Sequence, residues 1–396
     1  MRKPIRIAQP PPAPPLVFGA GGSANAHLLI GWASPEPGFC WTTGTGATLT
    51  ADMPGGAGDL FLELSLNPFT TPSEPSRALQ VTVDGRLVGG DALEGQGIVG
   101  YLLPPDIAGK RVTIGLHHDP APSPAALGLS TDPRSLGFMV FSLRAYRGPH
   151  RPRADVTVLP PLALPQDSTG RLQAVLAATG LTPRALAEQC ESLGHNCEFG
   201  MLQRHLEAEP LGLLRFAGIT LDDLLAGLDD GFADLGAEMV VATHPLGTGG
   251  SEFLVQDSRY RLSLHTTLTT DTHARADIET RYRTHLPFLG RHLRGRLAEG
   301  SHLYVFQRPG QLTQSQAMPL WNRLQAHGPN ALLYVDQDPN LPSGAVEQRG
   351  HGLYHGRLAR MAPHANVGLL DVNGWLSLCA NAYRLWCRDR PNPAVS

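Results

Sequence analysis

The chain has 396 residues, 42% of them hydrophobic, and a formal charge of −3 at neutral pH. That apolar content supports a buried core and excludes disorder as the default, and the length is comfortable for two domains. Charge close to neutral, with no long block of either sign, argues against a dedicated nucleic-acid surface. The cysteines show no Cys-x-x-Cys spacing, and no metal is expected among them or the 16 histidines. Five cysteines (Cys40, Cys190, Cys197, Cys379 and Cys387) are an odd, sparse set, which points to free thiols in a reducing compartment. The basic residues near the start are followed by proline and not by an apolar run, and no 18-residue apolar window occurs. The expectation is a cytoplasmic protein with no signal peptide and no membrane span.

Residues 1–16 are proline-rich and are expected to form a disordered tail. Residues 17–147 read as all-β: alternating runs such as 60–66, 79–83, 112–116 and 138–143 are separated by Gly, Pro and Asp. Asp84-Gly85 between Val83 and Arg86 is a hairpin signal, because both residues tolerate the positive φ angles of a type I′ turn. Short strands so punctuated predict a β-sandwich of jelly-roll type. In its first loops Trp32, Phe39 and Trp41 read either as a sugar-stacking platform or as sandwich core. Residues 148–168 are rich in proline and predict a linker.

From residue 169 to 396 the pattern becomes mixed α/β. Thr182-Pro183 starts a helix, 221–232 carries a helical leucine stripe, and 253–264 reads as a hairpin turning at Asp257-Ser258. Helices over 278–297 and 316–326 precede the apolar strands 302–306 and 331–335. The most informative stretch is Glu191-Ser192-Leu193-Gly194-His195-Asn196-Cys197-Glu198-Phe199-Gly200. It predicts a strand, a polar turn and an amphipathic helix whose Phe199, Leu202 and Leu206 share a face. With Asn196 as N-cap, Cys197 falls in the first helical turn, where unpaired N–H groups and the helix dipole favour a thiolate.

A nucleophilic cysteine needs a base, and the base needs an orienting group. His265 ends the strand pattern 260–265, on the face opposite Tyr260, Leu262 and Leu264. Three acids compete to orient it: Asp336, at the end of an apolar strand, Asp371 and Asp271. His195 and Asn196 sit beside the thiol as candidate binding or oxyanion-stabilising groups.

Ser192-Leu193-Gly194-x-x-Cys197, Leu213-Leu214-Arg215-Phe216, Leu264-His265 and Arg281-Tyr282-Arg283 together resemble a family of uncharacterised bacterial proteins described as papain-like cysteine peptidases. The resemblance spans about residues 188–310. It implies a papain-like domain with Cys197 and His265 as the catalytic pair and Arg215 beside the substrate. Thr266 stands where that family usually has an acid, which leaves the third member open. The Asn196-Cys197 turn also resembles that of capsule-polysaccharide biosynthesis proteins, which implies acyl transfer with coenzyme A as the possible donor. Residues 31–42 and 130–138 resemble a β-sandwich module attached to bacterial glycosyltransferases, which implies a glycan site using Trp32 and Glu36.

The sequence thus predicts an α+β chain: a β-sandwich followed by a papain-like α/β domain. Its expected function is cysteine-dependent acyl chemistry, as hydrolase or acyltransferase, tied to surface-polysaccharide biosynthesis or modification. The expected partners are a glycan or acylated small molecule and polysaccharide-assembly enzymes. The alternatives are a non-catalytic glycan-binding scaffold and a glycosyltransferase, the latter on the strength of Asp336-Gln337-Asp338, which has the spacing of a nucleotide-sugar metal motif.

Overall fold

A computed structural model describes residues 14–148, 157–246, 249–362 and 369–390. The chain divides into two compact units, residues 1–150 and 151–396.

In the first unit the strands are β1 (Leu16–Val17), β2 (Cys40–Thr43), β3 (Gly46–Asp52), β4 (Asp59–Pro68), β5 (Arg77–Val83), β6 (Arg86–Leu93), β7 (Gly97–Leu103), β8 (Arg111–His117) and β9 (Leu136–Gly148). They form two antiparallel sheets. One runs β1-β9-β4-β7 with β2 also on β9, and the other runs β3-β8-β5-β6. Alternation places Leu62, Leu64 and Leu66 of β4 against Leu49, Val81 and Ile114 of the other sheet in one core, which makes the unit a β-sandwich. The Asp84-Gly85 turn has φ of 47° and 77°, as a type I′ hairpin requires. Within the expected N-terminal tail, residues 1–13 lie outside the described residues. Leu16 already belongs to a strand, paired with Leu143.

The second unit contains β10 (Val158–Leu159), β11 (Cys190–Ser192), β12 (Ala217–Gly218), β13 (Met239–Pro245), β14 (Ser251–Asp257), β15 (Leu262–Thr269), β16 (Leu303–Gln307), β17 (Ala331–Gln337), β18 (Val346–Gly350) and β19 (Leu353–Leu358). Its helices are α1 (Ser168–Thr179), α2 (Pro183–Glu188), α3 (Glu198–His205), α4 (Leu221–Asp230), α5 (Arg275–Glu299), α6 (Gln314–His327) and α7 (Val372–Asp389). Six strands are ordered β10-β18-β19-β17-β16-β11, with β11, β16, β17 and β19 parallel. The strands β16 and β17 are unbroken apolar runs because both faces of this sheet are covered. On one face Val305, Leu333 and Val335 pack with Phe199, Leu202, Trp375 and Leu378 of α3 and α7. On the other, α6 lies on β17, and α4 and α5 lie on α6. A separate antiparallel sheet, β12-β15-β14-β13, carries the predicted hairpin.

The predicted linker is shorter than its composition suggests. Residues 149–156 lie outside the described residues, but Val158 and Leu159 form an edge strand on β18. Beyond it the Leu162 N–H donates to Ser377 Oγ at 2.8 Å, and Asn381 donates to the Pro160 carbonyl at 2.9 Å. Proline keeps this segment extended, and an edge position costs it no ladder hydrogen bond.

Candidate active site

The parallel strand β11 ends at Ser192, and the chain then turns sharply through Gly194 and His195, with φ of 83° and 72°. A side chain at Gly194 would meet Ile219 at 2.9 Å, so glycine is required for space as well as for φ. Asn196 Oδ1 accepts the Glu198 N–H at 2.9 Å, closing an Asx turn, and also accepts the amide N–H of Gln307 at the end of β16. Helix α3 therefore begins at Glu198, and Cys197 itself occupies the N-cap position. The sequence expectation had placed the cap one residue earlier, at Asn196. The half-buried thiol lies at the carboxyl ends of parallel strands, where open α/β sheets form their crevices.

The thiol's resting state corrects the sequence expectation. Burial, and behind it the Glu252 carboxylate, pushes the Cys197 thiol up to about 11, so it is protonated at neutral pH. Desolvation and a facing negative charge outweigh the helix dipole here.

His265 lies on β15, where its N–H donates to the Phe216 carbonyl at 3.0 Å. Its Nδ1 is 2.5 Å from Glu252 Oε1. The other carboxylate oxygen of Glu252 accepts the Thr267 N–H at 3.2 Å. A register shift between Glu252 and Leu254, together with a φ of 59° at Thr267, bends the two strands so that the carboxylate reaches the ring. The acid that meets His265 is thus Glu252. Asp336, proposed from sequence, lies elsewhere, 3.1 Å from His355 Nε2, while Asp371 caps α7 by accepting the Gly374 N–H. Asp271 lies exposed in the turn after β15.

Cys197, His265 and Glu252 line one cavity of about 620 Å³ with Asn196, and Met201 and Phe216 supply apolar wall. His244 of β13 stands edge-on to His265, with ring centroids 5.6 Å apart. Glu198 also faces the cavity. It is almost fully buried, its Oε1 accepts the Trp375 indole N–H at 3.0 Å, and burial raises its pKa.

The other sequence candidates are held by the fold. Arg215 donates to the Ala208 and Gly200 carbonyls at 2.9 and 3.4 Å and pairs with Glu209, so it fastens the end of α3 and does not line the cavity. Arg204, stacked over Phe216 at 4.6 Å, is the arginine on the cavity wall. His195 is half-buried with its ring edge-on to Phe306, 6.3 Å between centroids. In the first unit the Trp32 indole N–H donates to the Thr48 carbonyl at 2.7 Å, and its ring packs on Phe18 at 5.2 Å. Glu36 is paired with Arg134 at 3.1 Å, and Arg134 also holds Asp132.

Glu191 lies on β11, the strand that leads into the Gly194–His195 turn. It is 3% exposed and 3.3 Å from Arg296. Burial pushes its carboxyl from 4.5 to about 7, against the pull of Arg296 and Arg215. A folded-state pKa above the unfolded one means the folded chain holds the extra proton, so stability is lost as pH rises from 4.5 toward 7. Urea unfolding of the native chain is expected to lose on the order of 3 kcal/mol across that window relative to Glu191→Gln. Parallel pH profiles for the two proteins would refute it.

Among the described residues no group of three or more His, Cys, Asp or Glu is arranged to hold a metal ion, and no helix is long and apolar enough to cross a membrane. No family model and no curated protein matches the chain. Solved structures similar to it include a family 35 carbohydrate-binding module from Clostridium thermocellum, 11% identical, covering 34% of this chain and 99% of that one at a TM-score of 0.23. Another is the C-terminal CBM6 module of a marine laminarinase from Zobellia galactanivorans, 10% identical, covering 34% and 100% at a TM-score of 0.22. A third is a CBM36 domain of a xylanase from the hindgut metagenome of Trinervitermes trinervoides, 10% identical, covering 27% and 75% at a TM-score of 0.18.

Proposed function

We propose that the second unit performs cysteine-dependent acyl chemistry, with Cys197 as nucleophile, His265 as base and Glu252 as the group that orients it. The observation that carries this reading is the 2.5 Å contact between Glu252 and His265 Nδ1 in the cavity that also holds the thiol. A carboxylate on Nδ1 fixes the tautomer and leaves Nε2 as the proton acceptor. Because the resting thiol is neutral, attack is general-base catalysed. The Cys197 S–H bond breaks, its proton passes to His265 Nε2, the S–C bond forms, and the carbonyl π pair moves to oxygen. Asn196 spends its Oδ1 on Glu198 and Gln307, so its amide N–H₂ is assigned to that developing oxyanion. Collapse expels the leaving group with the proton from His265. Water or an acceptor hydroxyl then takes the acyl group from the thioester, which decides between hydrolysis and transfer.

Two reagents applied together test this. p-Nitrophenyl acetate is expected to give a burst of about one p-nitrophenolate per chain, absent in Cys197→Ala, with the acetyl group on Cys197 by mass spectrometry. Iodoacetamide at pH 8 is expected to label exposed Cys387 ahead of Cys197, whose labelling climbs as pH approaches 11. No burst, or a burst that survives Cys197→Ala, defeats the reading.

The alternative reading is that the first unit binds glycans and the chain acts as a scaffold. It is supported by the half-buried Trp32 and the Glu36–Arg134–Asp132 cluster, which offer saccharides a ring and hydrogen-bonding groups. Retardation of the full chain in gels containing xylan or laminarin, unchanged by Cys197→Ala, would favour it.

A further inference from the structure

The parallel sheet has a second cavity, of about 350 Å³, at the carboxyl ends of β17 and β19. Cys197 and His265 are not among the residues that line it. The strand register brings Tyr334 beside His355 and Asp336 beside Arg357, and Asp338 and Arg349 complete the charged lining. We propose that this cavity is a binding site for a small phosphorylated sugar.

One wall is cationic. Arg349 is 2.7 Å from Glu347, and Arg357 is 3.8 Å from the same carboxylate. A single carboxylate therefore serves two guanidiniums. The start of α6 lies on the cavity too, through Thr313 and Gln314, and adds the positive end of a 14-residue helix. A guanidinium fork beside a helix N-terminus matches phosphate geometry.

The opposite end is acidic. Asp336 and Asp338 present carboxylate oxygens, and carboxylates accept hydrogen bonds from vicinal hydroxyls. Asp336 Oδ1 sits 3.1 Å from His355 Nε2 but is poorly aligned for a hydrogen bond with it. Tyr334, also on the wall and fully buried, has a hydroxyl that finds no hydrogen-bond partner among the described residues. Burial raises its pKa, so it remains a donor. A donor and an acceptor left unmet in a buried polar wall are costly when empty, and a hydroxyl, which both gives and takes, meets them together. The volume lies at the small end of ligand pockets and suits a monosaccharide bearing phosphate. The Asp336-Gln337-Asp338 spacing, read from sequence as a nucleotide-sugar metal motif, thus gains a different use.

Calorimetric titration of the full chain tests the proposal, using glucose, galactose and mannose 1-phosphates with free glucose and inorganic phosphate as separate arms. At least one sugar phosphate is expected to bind roughly tenfold or more tighter than either fragment. Arg357→Gln is expected to remove that gain by losing the phosphate, and Asp338→Asn by losing the sugar, while Cys197→Ala leaves binding unchanged. The proposal is overturned if no sugar phosphate binds, if inorganic phosphate binds as tightly as the best of them, or if both variants bind like the native chain.

Discussion

Glu252→Gln is expected to slow acetylation of Cys197 by p-nitrophenyl acetate roughly 100- to 10,000-fold while the chain stays folded. The native carboxylate accepts from two donors at once, His265 Nδ1–H and the Thr267 N–H. A glutamine has one acceptor oxygen for those two donors, so its amide N–H₂ must face either the backbone or the ring. Facing the ring, it selects the tautomer with Nε2 protonated, which cannot take the thiol proton. A second readout moves the opposite way. Glu252 is one cause of the raised thiol pKa, so removing its charge brings ionisation of Cys197 to lower pH, and iodoacetamide labelling at pH 8 is expected to rise. Faster alkylation with slower ester turnover separates an orienting role from simple damage to the site. If ester and iodoacetamide rates fell together, the assigned role of Glu252 would be wrong.

Trp375→Ala is expected to cost about 3–5 kcal/mol of stability, enough to threaten folding of the second unit. The ring is fully buried, packs on Phe199 at 5.3 Å between centroids, and donates to Glu198. Trp375→Phe isolates the polar part: most of the volume is kept, and the buried carboxyl loses its indole donor. Glu198 already has a raised folded-state pKa, so its effect on stability worsens as pH rises above the unfolded value. Losing the donor raises that pKa further. The Trp375→Phe deficit is therefore expected to be about 1–3 kcal/mol at pH 8 and to shrink as pH falls and the carboxyl protonates. Urea unfolding at pH 5 and pH 8 measures both terms, and a deficit independent of pH would mean the indole contributes only packing.

The sequence made the framework legible where local rules act alone. Alternation located the sandwich strands, Asp84-Gly85 located a hairpin, and glycine with polar residues before an amphipathic stripe located the turn that presents Cys197. His265 was visible because period-two patterning separated it from Leu262 and Leu264. Glu252 was missed because its role depends on strand register. The pairing of Leu254 with His265 places 252 diagonally opposite 265, and that register is set by where the turn falls, which composition alone does not give. Counting residues back from the turn on both strands would have brought Glu252 into the candidate set. Asp336 was favoured because it ends an apolar strand, a description that fits many residues equally well. Arg215 and Trp32 were chosen for their chemistry, but Arg215 is held by backbone carbonyls and Glu209, and the Trp32 indole N–H by a backbone carbonyl. The thiol's ionisation was misjudged because one helix end was weighed without the desolvation and the carboxylate that only the folded chain supplies.

Cys197 follows a strand of the parallel sheet, whereas His265 and Glu252 belong to the antiparallel one. A newly made chain exposes the sulfur well before the hairpin that carries His265 and Glu252 has been synthesised. Until both layers have docked, the thiol has no imidazole beside it to take its proton, although without the burial and the Glu252 charge that raise its pKa it ionises more readily than in the folded chain. Ester turnover then reports completed assembly, and mild denaturant is expected to silence it while iodoacetamide labelling of Cys197 rises.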